Sequence, residues 1–291
     1  MPRLVLAGCG FSGLAAARLF HAAGWEVLAL THSAESVAKL AGEPFRAAAC
    51  DISQQESVVQ LAGERGADVV IHCASSSHGG ADAYRAVYLE GSRNLCDVLA
   101  PRRFIFTSST SVYAQTDGGW VDEQSPAEPP RETGRILREA EQLALASGGI
   151  VARLAGIYGP GRSVLLRKFF SGEAVIEGDG ARVVNQIHRD DIASALQVLA
   201  ESGQPGIYNV CDNRPTPQRE IYEWLAGRFA RPLPPCGPID PNRKRGWTSK
   251  QVSNAKLRAL GWQPRHATFF DAVAGEPELV RLARGVSSSD A

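Results

Sequence analysis

The sequence predicts an α/β fold, a doubly wound parallel sheet with a smaller and less regular C-terminal lobe. Three observations predict it. Short apolar or β-branched runs alternate with longer segments of helical apolar spacing through the first half of the chain, a glycine-rich turn joins the first run to the first helical segment, and the composition shifts toward Gly and Pro after about Gly156.

The runs place strands at residues 3–7, 26–30, 45–49, 69–72, 103–107 and 150–154, and the helical spacing places helices at 13–23, 53–63, 84–99 and 133–147. Six strands with helical crossovers make the doubly wound sheet. Residues 1–155 form the first domain, to which 183–200 returns, and residues 156–182 and 201–283 form the smaller lobe. That lobe is punctuated by Tyr158-Gly159-Pro160-Gly161, Glu177-Gly178-Asp179-Gly180 and Arg231-Pro232-Leu233-Pro234-Pro235. Arg189-Asp190-Asp191 before Ile192 reads as a capped helix start, because carboxylates suit the positive end of a helix dipole. The Ser-rich tail at 284–291 is expected to fray.

A chain of 291 residues buries a substantial core without disulfides or metals. Basic and acidic residues number 31 each, so no general attraction to nucleic acid or to acidic membranes is expected, and a small-molecule substrate is the natural partner. The six cysteines stand singly, without metal-ligand spacing, and read as buried reduced thiols. The apolar stretch at 4–7 runs straight into glycines, unlike a secretory signal, and no apolar run is long enough to span a membrane. A cytoplasmic location follows as the default expectation.

Gly8-Cys9-Gly10-Phe11-Ser12-Gly13 follows a predicted strand and opens a predicted helix, the context in which a G-x-G-x-x-G pattern binds a dinucleotide. The first glycine permits the tight turn, the second lets the backbone approach a pyrophosphate, and the third lets helix and strand pack closely. Gly8, Gly10, Phe11, Ser12 and Gly13 are therefore candidate cofactor-binding residues of a Rossmann domain. An NAD site usually offers an acid to the ribose about twenty residues after the turn. Here the second strand ends in Leu30-Thr31-His32-Ser33. The missing acid tilts the reading toward NADP, with His32, Ser33 or Lys39 near the 2′-phosphate and Thr31 a further cofactor-binding candidate, while NAD stays open.

Several further segments are similar to the extended branch of the short-chain dehydrogenase/reductase superfamily, which includes NAD-dependent epimerases and dehydratases. They are Ala49-Cys50-Asp51-Ile52, Val70-Ile71-His72-Cys73-Ala74, Glu90-Gly91-Ser92-Arg93-Asn94-Leu95, Thr107-Ser108-Ser109-Thr110-Ser111-Val112-Tyr113, Arg153-Leu154-Ala155-Gly156-Ile157-Tyr158-Gly159-Pro160-Gly161, Ile187-His188-Arg189-Asp190-Asp191-Ile192, Tyr208-Asn209-Val210 and Leu260-Gly261-Trp262-Gln263-Pro264. The resemblance implies a Rossmann enzyme with a substrate lobe, adds Asp51, Ile52, Cys73, Ala74 and Ser75 to the cofactor residues, and implies a homodimer through the helices at 84–99 and 133–147.

In that family a Ser ending the fifth strand works with a Tyr-x-x-x-Lys pair on the next long helix. The ammonium and the nicotinamide charge lower the phenol pKa, and the Ser hydroxyl fixes the substrate oxygen. The resemblance puts Ser109 in the Ser role, but Thr133 stands for Tyr and Leu137 for Lys, as in the atypical members. An aliphatic hydroxyl has no accessible pKa, so Thr133 cannot act as the phenol does. Tyr113 is a candidate substitute acid. Arg138 and His188 are weighed as well, against a solvated helix face and a packing role. Tyr88 occupies the place of an Asn in many relatives. Arg162, Arg167, Arg243 and Arg245 are candidates for an anionic substrate, and Arg182 is displaced from the place where relatives hold phosphates. The reading is an NAD(P)-binding oxidoreductase or epimerase/dehydratase-like enzyme acting on a small carbonyl or sugar-type substrate. A non-catalytic protein that senses the redox state of NAD(P)(H), or one that keeps its dinucleotide as a structural part, is the alternative.

Overall fold

A computed structural model describes residues 1–62, 66–76, 79–240 and 247–285. Seven parallel strands form the central sheet: β1 (Arg3–Ala7), β2 (Glu26–Thr31), β3 (Arg46–Ala49), β4 (Val69–His72), β5 (Arg103–Ser109), β6 (Ile150–Leu154) and β7 (Gly206–Val210). Their spatial order is β7-β6-β5-β4-β1-β2-β3, so the order in which strands are added reverses between β1 and β4. Along β1, Leu4 and Leu6 enter the core on one face of the sheet, and Val5 and Ala7 enter the core on the other. Burial on both faces explains why the strands read as unbroken apolar runs rather than alternating ones.

The helices are α1 (Phe11–Ala22), α2 (Ala34–Ala38), α3 (Gln55–Ala62), α4 (Ala81–Tyr84), α5 (Gly91–Leu99), α6 (Glu132–Ala146), α7 (Val164–Ser171), α8 (Arg189–Ser202), α9 (Gln218–Phe229), α10 (Ala255–Arg258), α11 (Phe269–Gly275) and α12 (Pro277–Ala283). Helices α1 and α8 cover one face of the sheet through Ala16, Phe20, Ile192 and Leu196, while α3, α5 and α6 cover the other through Val58, Leu95, Ile136 and Ala140. A third core, built from Phe169, Tyr222, Leu225 and Phe269, belongs to α7, α9 and α11 beside the sheet. Strand pairs of two or three residues, such as Gln186–His188 with Gly156–Tyr158, frame it.

Three sequence expectations change. The sheet has a seventh strand, because Gly206–Val210, expected in the smaller lobe, pairs in parallel with β6, Ile207 opposite Val151. The helix expected at 84–99 starts at Ala81 and passes through a π-helical turn, Arg85–Glu90, before α5. There the Ser92 hydroxyl donates to the Tyr88 carbonyl at 2.6 Å, a side-chain bond that competes with the regular ladder. Finally, α8 starts at Arg189 with Asp190 and Asp191 in its first turn as expected, but the capping side chain is His188, whose Nδ1 accepts from the Asp190 N–H at 3.2 Å. Asp191 instead turns away, accepting from the backbone N–H groups of Arg265 and His266 at 2.6 and 3.1 Å, which ties the C-terminal segment to α8.

All six cysteines are free, and Cys236 is exposed where a buried thiol is expected. No helix among the described residues is long and apolar enough to cross a membrane. Arg243, Arg245 and the tail beyond residue 285 lie outside the described residues.

Candidate active site

The glycine turn leaves β1 at the point where the strand order reverses, the position at which open α/β sheets bind ligands. Gly8 has a φ of +94°, and a Cβ there would sit 2.2 Å from the Ala74 nitrogen at the end of β4. At Gly13 a Cβ would meet the Gly8 carbonyl oxygen at 2.2 Å. Turn geometry and close packing thus demand glycine at both places. Gly10 faces open space, so the start of α1 is left accessible to an anion. These residues fit the pyrophosphate of a dinucleotide.

The turn forms one wall of a cavity of about 660 Å³. Gly8, Gly10, Phe11, Ser12 and Gly13 line it together with Cys73, Ala74 and Ser75 from the end of β4. Across from them stand Ser109 at the end of β5 and Thr133 and Leu137 on α6. The structure therefore gathers eight of the thirteen expected cofactor residues with Ser109 and Thr133. Thr31, His32, Ser33, Asp51 and Ile52 lie outside this cavity. Ser33 caps α2 through Ser36 N at 3.3 Å, the Asp51 carboxylate accepts from Ser53 N and Oγ at 3.0 and 2.7 Å, and the Ile52 carbonyl accepts from Asn94 at 2.9 Å. Asp51 also stands 3.9 Å from the exposed His32 imidazole.

Tyr113, the candidate substitute acid, lies outside the cavity lining. A short helical turn, Thr110–Val112, carries it away from Ser109 into the core, where its hydroxyl lies 2.8 Å from the Asp122 carbonyl and 2.9 Å from Asn209 Oδ1. Burial above all holds its pKa above the ordinary phenol value. Ser109, by contrast, accepts from Ser111 N–H at 3.2 Å, which leaves its own proton available to a ligand.

Beneath this wall lies a buried ionic network that the sequence conceals. Glu141, on the same stripe of α6 as Thr133 and Leu137, accepts from Arg153 Nε and Nη2 at 3.0 and 2.7 Å and from Ser108 Oγ at 2.6 Å. Arg138 joins the same carboxylate and so serves the network. The one-turn spacing of Thr133, Leu137 and Glu141 is the signal that could have found it. His188 packs, as weighed: Nδ1 caps α8, Nε2 lies 3.0 Å from Glu276, and burial lowers its pKa to about 4.

Among the described residues the lining carries two arginines, Arg131 and Arg162, and no carboxylate. Arg162 stands over the Phe11 ring at 5.4 Å, and Arg189 over the same ring at 5.1 Å. Arg167 instead pairs with Glu173 at 3.1 Å, and Arg182 lies 3.2 Å from Glu177. Tyr84, Arg131, Trp247 and Thr248 complete the wall unforeseen. Trp247 and Thr248 arrive from a loop far along the chain with no motif to mark them.

Residues 4–211 match the model of the NAD dependent epimerase/dehydratase family. Protein YeeZ of Escherichia coli K12 is 32% identical over 243 residues, covering 78% of this chain and 83% of its own. A 3-diazoavenalumate denitrifying reductase from Streptomyces is 26% identical over 309 residues, covering 95% of this chain and 100% of its own. Among solved structures, a Methylobacillus flagellatus protein described as an NAD-dependent epimerase/dehydratase superposes with a TM-score of 0.78 at 29% identity, covering 97% of this chain and 99% of its own. DesIV, a dTDP-glucose 4,6-dehydratase from Streptomyces venezuelae with NAD bound, shares the fold at 23% identity, with a TM-score of 0.79 and 97% of each chain covered. By its glycine turn, its switch-point cavity and these matches, the chain belongs to the NAD-dependent epimerase/dehydratase family.

Proposed function

We propose that the protein is an NAD(P)-dependent enzyme that interconverts a carbonyl and an alcohol on a small, sugar-type substrate, without the usual Tyr-x-x-x-Lys pair. The observation that carries this reading is the single cavity that joins the glycine turn to Ser109 and Thr133. A bound dinucleotide supplies hydride chemistry there. Gly8, Gly10, Ser12 and Gly13 would hold its pyrophosphate, and Cys73, Ala74 and Ser75 would flank it. Ser109, with its lone pair already engaged by Ser111 N–H, donates to the substrate oxygen. Thr133 adds a second hydroxyl at the same wall, and Leu137 keeps that wall dry.

NADP is the cofactor we favour. The end of β2 carries the exposed His32 and no acid, and the Asp51 carboxylate is occupied by its own loop. The same reading carries a homodimer through the helices at 84–99 and 133–147, which light scattering reads directly.

The test is calorimetric titration of the purified protein with NAD, NADH, NADP and NADPH separately. A carbonyl and sugar-nucleotide panel is then screened with the tightest form. Tight binding of one form, abolished by Gly10→Asp, with turnover lost in Ser109→Ala, is the expected result. Failure of all four to bind would overturn the reading.

A further inference from the structure

Helix α6 lacks a phenol and an ammonium at the places the family uses for proton transfer, and Tyr113 spends its hydroxyl in the core. Of the six tyrosines in the chain, Tyr84 and Tyr88 are the two that line the cavity. Both belong to the helical stretch that packs against α6. Their rings are in contact, with centroids 4.9 Å apart.

Tyr88 sits inside the π-helical turn, and its position is fixed from several sides. Its carbonyl accepts from Ser92 Oγ at 2.6 Å, and Ser92 Oγ is in turn 3.0 Å from His72 Nδ1 at the end of β4. Its ring meets the edge of Phe106 on β5 with centroids 6.2 Å apart and leans on His72 at 6.4 Å. Leu137 lies in the same core cluster and lines the same cavity. Single π-helical turns inside α-helices recur at functional sites, because the extra residue swings one side chain out of the regular register. A phenol is thus anchored on the helix that faces the Thr133 and Leu137 positions.

We propose that Tyr88 is the proton-transferring residue of this site, taking over from the opposite helix the role that α6 has lost. This rests on the function proposed above. As a substrate carbonyl is reduced, its oxygen takes the phenolic proton, the Tyr88 O–H bond breaking as the new O–H bond forms, and the phenolate recovers a proton from water. The electron pair comes from a reduced nicotinamide dinucleotide, the co-reactant of that function. In the reverse direction the phenolate accepts the alcohol proton. The titratable groups whose rings face Tyr88 are His72 and Tyr84, while β5 presents Phe106 and α6 presents Thr133 and Leu137.

The experiment follows the six tyrosine 13Cζ signals of the labelled full chain by NMR across alkaline pH, saturated in turn with the oxidised and the reduced form of whichever dinucleotide binds more tightly. The signal missing from Tyr88→Phe is expected to titrate about one pH unit or more lower with the oxidised form, because a cationic nicotinamide beside the phenol favours the phenolate. If Tyr88→Phe does not fold, single Phe variants of the other five tyrosines assign the Tyr88 signal by elimination. Equal midpoints in the two redox forms, or a shift confined to the Tyr84 signal, would overturn the proposal while leaving the dinucleotide reading intact. Absence of any dinucleotide binding overturns both.

Discussion

The imidazole Nδ1 of His72 lies 3.0 Å from the Ser92 hydroxyl, and both side chains are fully buried. Ser92 has one proton and gives it to the Tyr88 carbonyl, so His72 carries its own on Nδ1 and keeps Nε2 as a buried base without a hydrogen-bond partner. Burial lowers the pKa of this imidazole from 6.5 to about 3. The folded pKa lies below the unfolded one, so the stability that the neutral ring contributes is complete above pH 6.5 and is lost as the pH falls toward 3. Urea unfolding should show stability dropping by up to about 1.4 kcal/mol per pH unit inside that window. His72→Phe should flatten this part of the profile.

Removing one partner of the Glu141–Arg153 pair should be far more damaging than removing both. Glu141 and Arg153 are 0% and 1% exposed, so Glu141→Ala strands a buried guanidinium. A loss of roughly 3–5 kcal/mol is expected in chemical denaturation. Glu141→Leu combined with Arg153→Met should recover a large part of it. Equal losses in the single and double variants would show that the carboxylate acts mainly through Ser108.

The two ends of the glycine turn should respond differently to a methyl group. Gly8→Ala meets the Ala74 backbone and imposes an unfavourable positive φ, so both the melting temperature and dinucleotide affinity should fall. Gly10→Ala meets no atom within 4 Å in the protein, so the melting temperature should hold while affinity falls at least about tenfold. Calorimetry beside thermal unfolding separates the two.

Tyr113→Phe should lower stability by about 1–3 kcal/mol, because Asn209 Oδ1 and the Asp122 carbonyl lose a buried donor. Dinucleotide affinity should not change. A selective loss of turnover with full stability would return Tyr113 to the chemistry.

The contrast between Ser109 and Tyr113 shows how far the residues alone carry the argument. Strands β1, β2, β4, β5 and β6 announce themselves because burial on both faces fills them mostly with apolar residues, and the glycine turn does so because Gly8 and Gly13 have no room for a side chain. Strand β7 is hidden by Asn209, whose amide is buried between Tyr113 and the Ser253 carbonyl and breaks the apolar pattern. Separation along the chain says nothing of direction. Tyr113 follows Ser109 closely, yet after one helical turn it lies buried in the core while Ser109 lines the cavity. Trp247 and Thr248 reach the cavity only through the fold of the second lobe.

The described walls of the cavity carry Arg131 and Arg162 and no acid, which bears on how ligands arrive as well as on how they are held. A concave surface with charge of one sign concentrates field lines at its mouth and draws counter-charged molecules from solution. An anionic dinucleotide should therefore be captured quickly at low ionic strength. Added salt, which shortens the reach of charge to about 8–10 Å under physiological conditions, should slow that encounter in stopped-flow mixing more than it speeds departure. The chain as a whole is neutral, so this pull belongs to the cavity wall rather than to the molecule.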